Sequence, residues 1–68
     1  MMLKNINLYR MDLSESNIEN LRLDNVTVRG KLNYEDAKVK NYEAKNVTVN
    51  EGVEIESNGA NIKIETTK

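Results

Sequence analysis

The sequence predicts an all-β fold: a short parallel β-helix, or β-solenoid, of about three coils with four short sides and about 20–21 residues per coil. Three observations lead there. The phrase Asn-Val-Thr-Val occurs at Asn25–Val28 and again at Asn46–Val49, and a looser copy, Asn-Ile-Asn-Leu, sits at Asn5–Leu8. Apolar residues come in pairs one residue apart, and the pairs recur every five residues. Asparagine returns at two places in each repeat: Asn5, Asn25 and Asn46 at one, Asn20, Asn41 and Asn61 at the other. A helix would need apolar spacings of three and four. Pairs at i and i+2 put both side chains on one face of a short strand. Fixed repeats of twenty residues or more mark solenoids.

The coils follow in order. The first, about residues 5–24, carries the pairs Ile6/Leu8, Met11/Leu13, Ser16/Ile18 and Leu21/Leu23. The second, about 25–45, carries Val26/Val28, Leu32/Tyr34, Ala37/Val39 and Tyr42/Ala44, with the phase shifted by one at Gly30-Lys31. The third, about 46–66, carries Val47/Val49, Val53/Ile55, Asn58/Ala60 and Ile62/Ile64, with a second shift near Gly52. Stacked coils bring equivalent residues into columns about 4.8 Å apart. The expected columns include Ile6-Val26-Val47, Met11-Leu32-Val53, Leu13-Tyr34-Ile55, Ile18-Val39-Ala60 and Leu21-Tyr42-Ile62. Two tyrosines in the second coil alternate with two alanines, as close packing of a layer requires. The asparagines fall at corners, where Asn tolerates turn conformations and its amide can bond from coil to coil in a ladder.

Sixty-eight residues make one domain, 1–68. So small a core relies on disulfides, a metal, association or unusual regularity. Cysteine and histidine are both absent, which removes disulfides, thiolate chemistry, the commonest zinc ligand and the commonest general base. The net charge of −1 argues against electrostatic binding to nucleic acid. No apolar run is long enough for a membrane span or a signal peptide, and the expected location is cytoplasmic. No P-loop or dinucleotide fingerprint is present, and Ser14, Ser16 and Ser57 have no histidine partner. The expectation is a protein that is not an enzyme, with no cofactor and no metal. A calcium site on carboxylates is conceivable chemically, but no turn has calcium-loop spacing.

The five-residue period resembles the pentapeptide-repeat proteins. The segments that carry it are Met-Asp-Leu-Ser-Glu at Met11–Glu15, Ser-Asn-Ile-Glu-Asn at Ser16–Asn20 and Ile-Asn-Leu-Tyr-Arg at Ile6–Arg10. The resemblance spans about residues 5–65 and implies a four-sided right-handed β-helix. It departs from the family at the position two before the central residue, which is small there and is Ile6, Met11, Leu21 or Tyr42 here. A weaker resemblance is to the bactofilins, which are polymerising β-helices. Pentapeptide-repeat proteins that act on DNA topoisomerases imply one function: inhibition of a nucleic-acid enzyme by a partial DNA mimic.

The outer faces differ. Beside Leu21, Tyr42 and Ile62 the columns Arg22/Glu43/Lys63 and Asp24/Lys45/Glu65 alternate in sign, which stabilises a sheet. The next face collects Asp12, Glu15, Glu35, Asp36, Glu54 and Glu56, with Glu15 expected over Asp36 and Glu35 over Glu56. Like charges so placed are destabilising, so this acidic face is the candidate contact for a protein partner, such as a nucleic-acid enzyme. A phage or mobile-element product aimed at a host enzyme fits that composition. A third face, Asn7, Thr27 and Thr48 with Tyr9 beside them, is nearly neutral. With the end residues Met1 and Leu3 it is the candidate for self-association, because bare solenoid ends invite pairing. Met1-Met2-Leu3 is expected to fold over the first coil. The alternative function is therefore a self-assembling structural β-solenoid: a homodimer, a filament or a fibre element. Nothing in the sequence excludes an engineered or excised solenoid without a partner of its own.

Overall fold

A computed structural model describes residues 1–66. Four strands follow one another: β1 (Met2–Asp12), β2 (Asn17–Asn33), β3 (Lys38–Val49) and β4 (Glu54–Glu56). All pairings are parallel, in the order β1-β2-β3, with β4 also beside β2. The molecule is all-β among the described residues.

Parallel neighbours normally need a crossover of a dozen residues or more. Here residues 13–16 alone join β1 to β2, and residues 34–37 alone join β2 to β3. The strands themselves must supply the return path, so they bend. Size says the same. A straight strand of 17 residues would measure about 56 Å, yet the longest dimension of the molecule is 25 Å.

The bends sit where the backbone turns left-handed. Asn5, Asn25 and Asn46 have φ of 55°, 56° and 55°, and Glu15 and Asp36 have 53° and 58°. Register places Val26 beside both Ile6 and Val47, so the three asparagines stack. Asn25 Nδ2 donates to Asn5 Oδ1 (2.8 Å), and Asn46 Nδ2 donates to Asn25 Oδ1 (2.9 Å). The ladder expected at this corner is present. At the second corner Asn41 Nδ2 donates to Asn20 Oδ1 (3.0 Å). Asn61 does not extend that ladder. Its amide turns inward and pairs with the backbone of Val39, accepting from its N–H and donating to its C=O, each at 2.8 Å.

The first phase shift is a bulge. Leu8 pairs with Val28 and Arg10 with Lys31, so Tyr9 faces Arg29 and Gly30 together. A Cβ on Gly30 would collide with the Tyr9 ring. Glycine is required there because the ring lies across the backbone. The second shift is larger than the sequence indicates. The turn Asn50–Val53, closed by Val53 N–H to Asn50 C=O with Gly52 at φ 87°, occupies the place of Arg29 and Gly30. Leu32 therefore pairs with Ile55 rather than Val53, and Asn33 with Glu56. The Met11-Leu32-Val53 and Leu13-Tyr34-Ile55 columns are wrong by two residues. Glu56 lies beside Asn33, not under Glu35.

The core fills the middle. Leu21, Leu23, Val26, Val28, Leu32, Tyr34, Ala37 and Val39 are all buried. The expected third coil ends early. Strand pairing stops at Glu56, and the chain from there to Thr66 makes a turn at Ser57–Ala60 and then crosses the end of the core. Ile64 is buried there, and its N–H donates to the hydroxyl of buried Tyr34 (3.0 Å). The tyrosine hydroxyl needs a partner when buried, and this crossing supplies it. The columns expected to end at Ile62 and Ile64 beside Tyr42 and Ala44 are replaced by this strap.

Candidate functional site

Two surfaces stand out, the β1 end and the acidic corner. The end is made by the sheet order. β2 has neighbours on both edges, whereas among the described residues no strand lies outside β1 or outside β3. Met1–Leu3 do not fold over this end. They lengthen β1, with Met1 C=O accepting from Arg22 N–H (2.9 Å) and Leu3 beside Leu23. Several apolar columns thus run out toward solvent, although Met11 and Leu13 of the same layer are buried. Leu23, Val26 and Val28 are fully buried, while Leu3, Ile6 and Leu8, their neighbours in β1, are only half-buried, as is Ile18. Met1 and Met2 are more than half exposed.

The opposite end, where β3 is the other edge strand and Ile55 is 49% exposed, is partly covered by the chain from Asn61 to Thr66. Asn61 occupies the backbone N–H and C=O of Val39, Asn61 N–H donates to Ala37 C=O (3.3 Å), Ile64 fills the core, and Thr66 Oγ1 accepts from Val49 N–H (3.3 Å). This strap was not legible in the sequence. An i, i+2 pair such as Ile62/Ile64 reads as a strand whether it stacks or crosses. The only trace is Thr66, which stands where the earlier repeats have the corner asparagines Asn25 and Asn46.

Among the residues proposed for self-association, Tyr9 is 61% exposed, with Arg29 over its ring at 5.7 Å from the centroid. Arg29 Nε also donates to Asn7 Oδ1 (2.6 Å). Asn7, Thr27 and Thr48 are in register across β1, β2 and β3, and both threonines are half-buried.

The acidic residues are brought to one region but not to one role. Asp12, Glu15, Asp36, Glu54 and Glu56 are exposed and Glu35 is half-buried. Asp12 Oδ1 accepts from both the N–H (2.9 Å) and the hydroxyl (2.6 Å) of Ser14. These two bonds hold its carboxyl below the usual carboxylate value, against a small opposing desolvation and with Lys31 and Arg10 assisting. Asn33, beside Asp12, makes the same turn by accepting from Glu35 N–H (3.0 Å). Asp12 is thus a turn-forming residue that an asparagine replaces in the next layer. Glu54 pairs with Lys31 (3.9 Å). Glu15 N–H donates to Glu35 C=O (2.8 Å), and both Glu15 and Asp36 sit at left-handed bends, so they stack as expected. Gly59 takes the next place, with φ of 82°, and a Cβ there would collide with the Asp36 carboxylate. The Lys38 ammonium reaches Gly59 C=O at the same corner. The alternating face keeps one cross-strand pair, Arg22 with Glu43 (3.1 Å), while Lys63 turns to Glu65 (3.3 Å).

Shallow grooves lie on the surface of the described residues. One, about 460 Å³, is lined by Asn17, Ile18, Lys38, Lys40 and Asn61 among others. Another, about 280 Å³, runs beside Arg22, Tyr42 and Glu43. Among the described residues no group of three carboxylates is disposed around a metal ion, and no helix is long and apolar enough to cross a membrane. Compared with protein-family models, with curated proteins and with solved structures, the chain matches none.

Proposed function

We propose that the chain winds as a short parallel β-helix with four short sides, and that it works without catalysis, by associating with itself through the open β1 end. One observation carries this reading. The apolar columns that are fully buried at Leu23, Val26 and Val28 continue to Leu3, Ile6 and Leu8 and stop half-exposed on an unpaired strand edge. An edge of this length is a template for another strand. Sedimentation velocity across a hundredfold or so range of concentration tests it. Self-association rising with concentration is the expected result. A single monomeric species throughout overturns it.

A second reading has its own support. Glu15 and Asp36 stack at left-handed bends, a conformation disfavoured for Glu and tolerated by Asp. Carboxylates kept there, with Glu35 beside them, offer a contact for a basic protein surface, such as the DNA groove of a nucleic-acid enzyme. Retention of one such enzyme from a lysate, lost with Glu35→Lys/Asp36→Lys, supports it. Equal retention by native and reversed proteins removes it.

A further inference from the structure

We infer that the partner of the open end is a second copy of this chain, docked face to face across a two-fold axis, with the Asn5–Arg10 side of each copy over the Glu15–Glu19 side of the other. The inference rests on the self-association reading and adds the geometry, the residues and the stopping point.

Two arrangements can cover the β1 edge with this same chain. In a head-to-tail stack, β1 of one copy continues the parallel winding on the far end of the next. That end is partly occupied. Asn61 already holds the N–H and C=O of Val39, Thr66 holds Val49 N–H, and Ile64 fills the core. In a face-to-face pair both open ends meet. A two-fold axis reverses the chain direction, so the facing edges become antiparallel, which is a sound strand pairing. The assembly then closes at two where the strapped end of each copy, partly covered by Asn61, Ile64 and Thr66, takes no further partner.

Charge selects the rotation. In the first layer the side that starts at the Asn5 bend is flanked by Lys4 and Arg10. The side that starts at the Glu15 bend is flanked by Glu15 and Glu19. In a four-sided coil these two sides are opposite one another. The two-fold axis that exchanges them sets Arg10 against Glu15 and Lys4 against Glu19, twice over by symmetry. The half-buried Leu3, Ile6, Leu8 and Ile18 then lie inside this ring of charge. All four charged residues are exposed, and none makes an ion pair among the described residues.

The test is a charge swap read by sedimentation, with circular dichroism checking that each variant keeps the native strand signal. Lys4→Glu/Arg10→Glu makes both flanks acidic, and Glu15→Lys/Glu19→Lys makes both basic. Each variant alone is expected to dimerise at least about tenfold more weakly than the native chain, from like-charge contact. An equimolar mixture is expected to regain dimers, each holding one copy of either kind. A mixture no more associated than its components overturns the inference, as does native-strength dimerisation of either variant alone. Open-ended growth of the native chain also overturns it while leaving self-association standing. A native chain that stays monomeric removes both.

Discussion

Tyr42 carries its hydroxyl out of water with no partner among the described residues. Its position in the repeat asks for an inward side chain, and the ring supplies volume, but no described group bonds to the oxygen. An unpaired buried hydroxyl costs about 1 kcal/mol or more. Tyr42→Phe is therefore expected to raise stability by about 1 kcal/mol, read from urea denaturation. The same residue has its ionisation pushed above 10.0, first by burial, then by Tyr34 and Glu65. The folded state holds this proton more tightly than the unfolded one. The pH-linked part of the stability is therefore whole below pH 10 and is lost as pH rises through the folded value. The Phe variant should lack this part of the alkaline loss. Asp12 behaves oppositely. Its bonds to Ser14 favour the carboxylate, so its contribution is present above the ordinary value of 3.8 and lost as pH falls through the lowered folded value. Asp12→Asn, which keeps the turn-forming oxygen as Asn33 does, should flatten that acid limb in a melting-temperature profile. An unchanged acid limb would show that the Ser14 bonds do not persist in solution.

At the level of the strand, the asparagine corner does two things at once. Asn25 adopts a left-handed backbone and both accepts and donates in the ladder. Asn25→Ala loses both and should cost about 2–3 kcal/mol. Asn25→Gly keeps the backbone freedom and loses only the ladder, so it should cost less than the Ala variant. If the two variants are equally stable by denaturant unfolding, the backbone conformation is not what the asparagine is there for. The strands also show why register was only partly legible. A one-residue slip turns every side chain to the wrong face, so the bulge at Tyr9 and Gly30 leaves a visible mark in the apolar pattern. A two-residue slip changes no faces. The turn at Asn50–Val53 is such a slip, and Val53/Ile55 reads as well as Ile55/Ser57 until Leu32 is seen beside Ile55.

The whole molecule is asymmetric along its stack: one end open at β1, the other partly covered by residues 61–66. Burial of Ile64 in the core holds the strap. Ile64→Ala should cost about 2–4 kcal/mol, from lost burial and the space left beneath it. If the strap is what limits assembly, Asn61→Ala, which frees the Val39 backbone with little effect on the core, should give species larger than a dimer in light scattering. A particle no larger than that of the native chain would show that the strapped end needs no guard.

The apolar pairs every five residues and the phrases at Asn5, Asn25 and Asn46 determined the β class, the parallel stacking, the asparagine corner and the middle of the core. All of these repeat from layer to layer, and repetition is visible in a linear pattern. The acidic residues were legible as a group, but their separate duties were not, because Asp12 is claimed by Ser14 and Glu54 by Lys31 only once the turns are folded. The tertiary structure alone decided how the repeat ends. Met1–Leu3 extend an edge, whereas Ile64 leaves its column to meet the Tyr34 hydroxyl and Asn61 leaves its ladder to pair with Val39. A terminal layer has no neighbour beyond it to enforce the pattern. Its residues go where unpaired backbone and exposed core are covered at least cost, and that choice depends on contacts distant in the chain.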